Sequence, residues 1–326
     1  MGRMTSFLIS LLGVVTATNQ VLAASQFVAE KTGIRVPVKV ERPASADPVE
    51  REYQKLLDMD NEAQSEVDDW IQKESAFAEK GASLANVTLN ARIEQRFAPV
   101  KKGYKEFLER HPEHVKARLA YGSFLNDIGE ESEGVAQWEK ALVLDPKNPA
   151  TYNNLATYYG HNGPAKKAFE YFEKTIELSP KEPLYYHNFG MLVYQYRQEA
   201  KAYFKCEEQQ VFDKALGLYQ KALDLSPKDF PLATDLAQTY YLIKPFRTDD
   251  AIKAWDYALT IARDDIEREG IQIHLARVKM NVGRYTEARQ HLGLVTNAMY
   301  NGLKERLYKN LDEKQDKTTK QIGPAL

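Results

Sequence analysis

The sequence is short of the residues that mark several common classes of protein. Its single cysteine, Cys206, excludes an internal disulfide framework and any cysteine-cluster site for zinc or an iron–sulfur centre. Lys and Arg total 44 and Asp and Glu total 46, which gives a formal charge of −2. The absence of a basic excess argues against nucleic acid as the main partner. Glycine and proline are slightly scarce, at 17 and 14 of 326 residues, and this scarcity of helix breakers favours an α-helical protein.

The sequence also lacks the short motifs that carry much enzymatic chemistry. It contains no Gly-rich phosphate loop, no G-x-S-x-G and no H-E-x-x-H. The close pair His111 and His114 flanks Pro112, which favours exposed turn residues over a metal site. We therefore predict no catalytic residues, no cofactor and no metal.

The first residues have the pattern of a secretory signal. Arg3 precedes the apolar run Phe7–Val15, and Val21 and Ala23 suit the −3 and −1 positions of a cleavage site. Nine apolar residues rise only about 14 Å as a helix, roughly half of a bilayer core, which favours a cleaved signal over residues 1–23 rather than a retained anchor. We expect an exported bacterial protein, periplasmic or secreted, with no membrane span after cleavage.

Three prolines in the middle of the chain are evenly spaced. Pro112, Pro146 and Pro180 lie 34 residues apart and close the similar phrases FLERHP, ALVLDP and TIELSP. Two aligned units, 115–148 and 149–182, share small residues at two fixed positions and large apolar residues at several others. Small residues allow two helices to approach closely, and the closing proline ends the second helix.

This pattern resembles the tetratricopeptide repeat. The resemblance implies an all-α fold, a right-handed α–α superhelix (a solenoid of antiparallel helix pairs) with a long N-terminal helix and a C-terminal capping helix. Further units are predicted at 183–229 and 230–265, with a weak one at 266–297. Residues 81–114 are predicted to be a degenerate unit whose second helix begins at Pro99.

The third clear unit is longer than the others. Pro180 and Pro227 lie 47 residues apart, so 13 extra residues separate the helices of 183–229. They either lengthen both helices or form a short extra helix.

The segments outside the repeats differ in character. Residues 24–46 predict an extended lead-in. Residues 47–80 predict one long helix, or a helix pair broken near Asp58–Asn61, with a coiled-coil dimer as the alternative use of its apolar face. Residues 298–312 predict the capping helix and 313–326 a flexible tail.

Surface recognition is the function that the resemblance implies. In tetratricopeptide arrays the first helices of the repeats line a concave groove, and polar or aromatic residues there can hydrogen-bond and stack on an extended peptide. The groove residues carried over to this chain are Asn153, Thr157, His161, His187, Met191, Tyr194, Thr234, Gln238, Tyr241, Arg277 and Asn281. The basic residues of the carboxylate clamp found in chaperone-binding members are missing, since Leu119 and Ser123 stand at two of its positions.

We predict a non-catalytic scaffold for a protein or peptide partner, with no role in nucleic-acid binding. Two alternatives remain: a small-molecule or glycan site associated with an envelope enzyme system, and a self-assembling structural protein. The oligomeric state is left open.

Overall fold

The structure, a computed structural model, describes residues 47–79 and 86–322. The predicted signal over 1–23 and the lead-in over 24–46 lie outside these described residues.

The described residues form fourteen α-helices and no strand, which confirms the predicted all-α fold class. The chain divides into two compact units, unit 1 (Met1–Tyr158) and unit 2 (Tyr159–Leu326), and the boundary falls within α5. In chain order the helices are α1 (Pro48–Glu79), α2 (Asn86–Arg110), α3 (Val115–Asp127), α4 (Glu131–Leu144), α5 (Pro149–Asn162), α6 (Ala165–Leu178), α7 (Pro183–Gln195), α8 (Arg197–Phe204), α9 (Glu208–Leu225), α10 (Phe230–Thr239), α11 (Thr248–Ile261), α12 (Asp265–Asn281), α13 (Tyr285–Gly293) and α14 (Asn301–Ile322). Short 3-10 helices cover Tyr240–Leu242 and Ala298–Tyr300.

Helix α1 runs unbroken through the segment for which a helix pair was the alternative. Asp47 caps its start, because Asp47 Oδ1 accepts the Val49 N–H at 2.9 Å. Asp60, in the polar gap of the sequence pattern, is only 3% exposed. Its carboxylate accepts the Tyr104 hydroxyl of α2 at 2.7 Å and the Gln64 amide at 2.8 Å. The buried carboxylate of Asp60 is therefore satisfied by hydrogen bonds, and the helix continues through this polar position.

The prediction that Pro99 opens a second helix is wrong. Pro99 lies inside the single helix α2, where a proline costs about 3 kcal/mol because it removes one N–H and crowds a carbonyl. Val100, Tyr104 and Phe107 follow it, all at most 1% exposed, and belong to the apolar core of unit 1. Burial of each large side chain stabilises by about 1.5–3 kcal/mol, so this stripe offsets the cost of the proline. Helices α1 and α2 consequently pack on each other as one pair.

Helices α3 and α4 approach closely at two glycines. A Cβ on Gly122 would lie 2.4 Å from Trp138 Nε1, and a Cβ on Gly134 would lie 2.7 Å from the Gly122 carbonyl oxygen. Trp138 is 3% exposed, and its indole N–H donates to the Leu119 carbonyl at 3.2 Å. The small residues of the repeat pattern thus stand where this helix crossing leaves no room for a side chain.

The turns between paired helices repeat one backbone conformation. Gly129, Gly163 and Gly283 end α3, α5 and α12 with φ values of 84°, 68° and 77°. Glycine adopts this left-handed region without the steric cost of a Cβ, which favours it at the end of a helix.

The 13 extra residues of 183–229 contribute the short extra helix α8, one of the two predicted alternatives. Lys205 ends it in the left-handed conformation, at φ 52°. The Phe204 ring lies 5.8 Å from Phe169 of α6 and 6.5 Å from Phe189 of α7, measured between centroids. These rings therefore pack on neighbouring helices of unit 2.

Part of the segment from residue 313, for which a flexible tail was predicted, is helical in the described part of the chain, and its flexibility stays a prediction. Helix α14 continues to Ile322. Leu307 and Leu311 are buried in the cluster formed with α12 and α13, which fixes the first half of the helix. No glycine or proline interrupts 303–322, and most of these residues are Leu, Lys, Glu, Arg or Gln, which favour a helix.

Candidate functional site

The predicted groove residues of unit 1 are engaged within the protein. Asn153 is 7% exposed, and its amide nitrogen lies 3.5 Å from Asn154 Oδ1. The Asn154 amide in turn donates to Ser123 Oγ of α3 at 3.4 Å. Thr157 donates its hydroxyl to the Asn153 carbonyl at 2.9 Å. These hydrogen bonds connect the first part of α5 to α3 and leave a partner little free hydrogen-bonding capacity.

The predicted residues on α7, in unit 2, have mixed surroundings. His187 Nε2 donates to Asp235 Oδ2 of α10 at 2.9 Å, and its ring lies 5.5 Å from that of Tyr219. Met191 and Tyr194 are half-buried against the main apolar core of unit 2. Burial raises the pKa of Tyr194, which keeps this phenol protonated.

A cluster of aromatic and basic side chains joins the 3-10 helix Tyr240–Leu242 to α11 and α12. The Tyr241 hydroxyl lies 3.0 Å from His274 Nδ1, and the His274 ring stacks on Trp255 at 4.1 Å between centroids, with the planes only 11° apart. The Arg277 guanidinium lies 5.4 Å from the centre of the Tyr241 ring, within cation–π range. Tyr241 and Arg277 were predicted from the repeat pattern, and the structure brings them together.

Burial sets the protonation of this cluster. It lowers the pKa of His274 to about 4, with a further contribution from Arg277, and raises the pKa of Tyr241 to about 12. Both groups are therefore neutral at pH 7, and Arg277 carries the charge. Arg277 is exposed and forms no ion pair with any residue of the described ranges.

The remaining predicted residues lie at the surface of unit 2. His161 is exposed at the end of α5, and Gln238 is exposed on α10. Thr234 donates its hydroxyl to the Pro231 carbonyl at 2.7 Å. Asn281 is exposed at the end of α12, and its Oδ1 accepts from Lys314 at 3.3 Å.

We call the surface carrying His187, Met191, Tyr194, Gln238, Tyr241 and Arg277 the α7–α10–α12 face. Two groups of this face, Asp235 and His274, were not predicted from the sequence. Asp235 is the hydrogen-bond partner of His187, and His274 fixes the Tyr241 hydroxyl. The predicted groove residues were chosen by their position within the repeat. Asp235 and His274 stand at other repeat positions, so this signal did not indicate them.

Two further results concern metals and membranes. Within 47–79 and 86–322, no three His, Cys, Asp or Glu side chains are grouped so as to hold a metal ion. No helix in these same ranges combines the length and the apolar character needed to cross a bilayer.

Comparison with known proteins agrees with the repeat pattern. A family model described as the tetratricopeptide repeat matches residues 138–168. The match covers 31 of the 326 residues, and together with the helix pairs described above it supports a tetratricopeptide repeat fold. Arrays of this type are interaction scaffolds. No curated protein matches the sequence.

Several solved structures share the fold at low identity. The chain is similar to PilF of Pseudomonas aeruginosa, with 16% identity, 77% of this chain and 98% of that chain covered, and a TM-score of 0.48. It is also similar to YrrB, a TPR protein with an unusual peptide-binding site. The identity is 16%, 59% of this chain and 90% of that chain are covered, and the TM-score is 0.45. A third similar structure is the C-terminal part of a TPR protein of Cytophaga hutchinsonii. Its sequence identity is 14%, the comparison covers 76% of this chain and 97% of that chain, and the TM-score is 0.48. At TM-scores below 0.5, these likenesses do not bear on the partner of this chain.

Proposed function

We propose that this protein is a non-catalytic scaffold that binds a segment of a partner protein across the α7–α10–α12 face. The observation that carries the proposal is the arrangement of Arg277 and Tyr241. An exposed guanidinium, which has no ion-pair partner in the described part of the chain, lies over a tyrosine ring whose hydroxyl contacts His274. Arg, Tyr and Trp are the side chains that most often dominate binding at protein interfaces.

Preorganisation strengthens the case for a binding surface. The stack of His274 on Trp255, which is fully buried, holds the Tyr241 ring in one orientation. A partner would therefore lose less entropy in ordering this part of the face than in ordering free side chains.

The charges of the face suggest the chemistry of the partner. Arg277 on α12 is positive, whereas Asp235 on α10 is a half-exposed carboxylate that accepts from His187. We propose a partner segment that presents an acidic group towards α12 and a hydrogen-bond donor towards α10.

A matched pair of variants tests the proposed face. Arg277→Ala removes the exposed cation above Tyr241, and Lys253→Ala removes an exposed cation from α11, outside the face. Partners are captured on each immobilised variant from an extract of the source cells and quantified by mass spectrometry, after circular dichroism has shown equal melting temperatures. We expect Arg277→Ala to capture at least tenfold less of one or more partner proteins whose captured amount is unchanged with Lys253→Ala. Equal capture by the two variants would rule out this face.

We also propose export to the periplasm or the medium. The support is the pattern over residues 1–23, with its basic start, short apolar run and small residues before position 24. Expression of the full chain, followed by mass spectrometry of its N-terminus, tests this: we expect a chain that begins at residue 24, and a product that retains residues 1–23 would contradict cleavage.

A further inference from the structure

A cleft in unit 1 is lined by none of the predicted groove residues. This open cleft has a volume of about 270 Å³ and lies between α2 and α4, and residues of α3 also line it. Lys105 of α2, Lys140 of α4, and Arg118 and Tyr121 of α3 are among its lining residues.

Arg118 is a cation without a counter-ion among the described residues. Its Nε and Nη2 donate to the Pro112 carbonyl at 2.9 and 2.6 Å, and its Nη1 donates to Gln137 Oε1 at 2.9 Å. Both acceptors are neutral, and burial lowers the pKa of Arg118 with no carboxylate to oppose the shift. A guanidinium has five N–H donors, so two remain for a ligand.

Tyr121 presents the second unusual group of the cleft. Its side chain is 3% exposed and stacks on Tyr104 at 5.2 Å between centroids, yet its buried hydroxyl has no hydrogen-bond partner within 47–79 and 86–322. Burial raises the pKa of Tyr121, so the hydroxyl remains a donor at neutral pH. An unpaired buried hydroxyl destabilises a fold, and phenylalanine would fill the same space without that cost.

The rim adds both signs of charge. Lys105 and Lys140 are exposed and form no hydrogen bond or ion pair with the described residues. Glu109 and Glu133 also line the cleft, so its three cations exceed its anions by one. The resulting net charge of +1 is neutralised by one carboxylate, whereas a phosphate dianion would leave the cleft with an excess negative charge.

We propose that this cleft binds the carboxylate of an Asp or Glu side chain of a partner protein. The carboxylate accepts from the free N–H groups of Arg118 and from the Tyr121 hydroxyl, and Lys105 and Lys140 attract it from the rim. The proposal adds a second surface to the α7–α10–α12 face, and each can fail independently of the other.

The test uses a small ligand in place of the unknown partner. N-acetylglutamate N-methylamide is titrated into the full chain, selectively labelled with ¹⁵N-arginine, at constant ionic strength, and the neutral glutamine analogue is the matched control. We expect a saturable shift of the Arg118 Nε–Hε resonance with the glutamate probe and none with the glutamine analogue. No saturable shift, or saturation by inorganic phosphate but not by the glutamate probe, would overturn the proposal.

Three variants locate the effect. Lys140→Gln should weaken probe binding at least threefold, whereas Lys102→Gln, an exposed lysine of α2 paired with Glu106, should leave it unchanged. Tyr121→Phe should weaken binding at least threefold while raising the melting temperature, a combination that a purely structural hydroxyl would not produce. Undiminished binding in both Lys140→Gln and Tyr121→Phe would refute the assignment.

Discussion

Substitution of Gly122 by alanine tests the close packing of α3 on α4. Its Cβ would lie 2.4 and 2.6 Å from Nε1 and Cδ1 of Trp138 and 2.9 Å from the Gly134 carbonyl oxygen, all far inside normal contact. The indole is 3% exposed and rigid, so it has no empty space to move into.

The expected free-energy change combines opposing effects. Alanine stabilises a helix interior by about 1 kcal/mol relative to glycine. Overpacking a core costs about 1–3 kcal/mol, and displacement of the indole breaks its 3.2 Å hydrogen bond to Leu119, worth about 1 kcal/mol. We expect Gly122→Ala to lower the free energy of unfolding by about 1–3 kcal/mol.

Two other glycines provide controls. A Cβ on Gly217 of α9 would meet nothing within 4 Å, so Gly217→Ala should stabilise by about 0.5–1 kcal/mol. A Cβ on Gly103 of α2 would meet only the ends of the Leu56 and Met59 side chains, which can move aside, so Gly103→Ala should be nearly neutral.

Urea unfolding followed by circular dichroism and tryptophan fluorescence measures all three variants. The order of stability should be Gly217→Ala, then Gly103→Ala, then Gly122→Ala. A Gly122→Ala protein as stable as Gly217→Ala would show that α3 and α4 can separate without cost, which would refute the packing argument.

Three further predictions concern unit 2. The pKa of His274 is lowered from 6.5 to about 4, so its stabilising contribution is complete above pH 6.5 and is lost as the pH falls through 4. Between pH 7.5 and 5, the free energy of unfolding in urea should therefore fall by up to about 2 kcal/mol more for the wild type than for His274→Gln. Equal losses in the two proteins would contradict this prediction. Glu269 accepts the N–H groups of Thr296 at 2.9 Å and Asn297 at 2.7 Å, so Glu269→Gln should speed hydrogen exchange at both amides, and unchanged protection would show that the carboxylate does not hold this turn. Phe204→Ala should lower the free energy of unfolding by about 1–3 kcal/mol, less than for a fully buried ring, and an unchanged melting temperature would mean that α8 does not depend on this contact.

Spacing predicted the helix pairs from residue 115 onward because the signals there are local. A small residue and a large residue that meet within one helix pair, such as Gly122 and Trp138, and a proline that follows the pair, such as Pro146, all act within one repeat unit. Pro99 misled the same reasoning because its local cost is offset by burial of the stripe at Val100, Tyr104 and Phe107, which depends on a neighbouring helix.

The candidate site was predictable only in part for a similar reason. Tyr241 and Arg277 stand at repeat positions that face outwards, so the pattern identified both. The contact of His187 with Asp235 joins residues 48 positions apart on different helix pairs. Such pairing depends on the exact separation and rotation of two helices from different pairs, which spacing within one repeat does not specify.

The packing of each helix on its neighbours along the chain has a consequence for folding kinetics. Most of the helix–helix contacts close only short stretches of chain, so little loop entropy is lost before a contact forms. Folding can then begin within several helix pairs at once, and each formed pair acts as a template for the next. Within each unit, a terminal pair that opens can close again on its intact neighbour, so local unfolding need not spread along the chain.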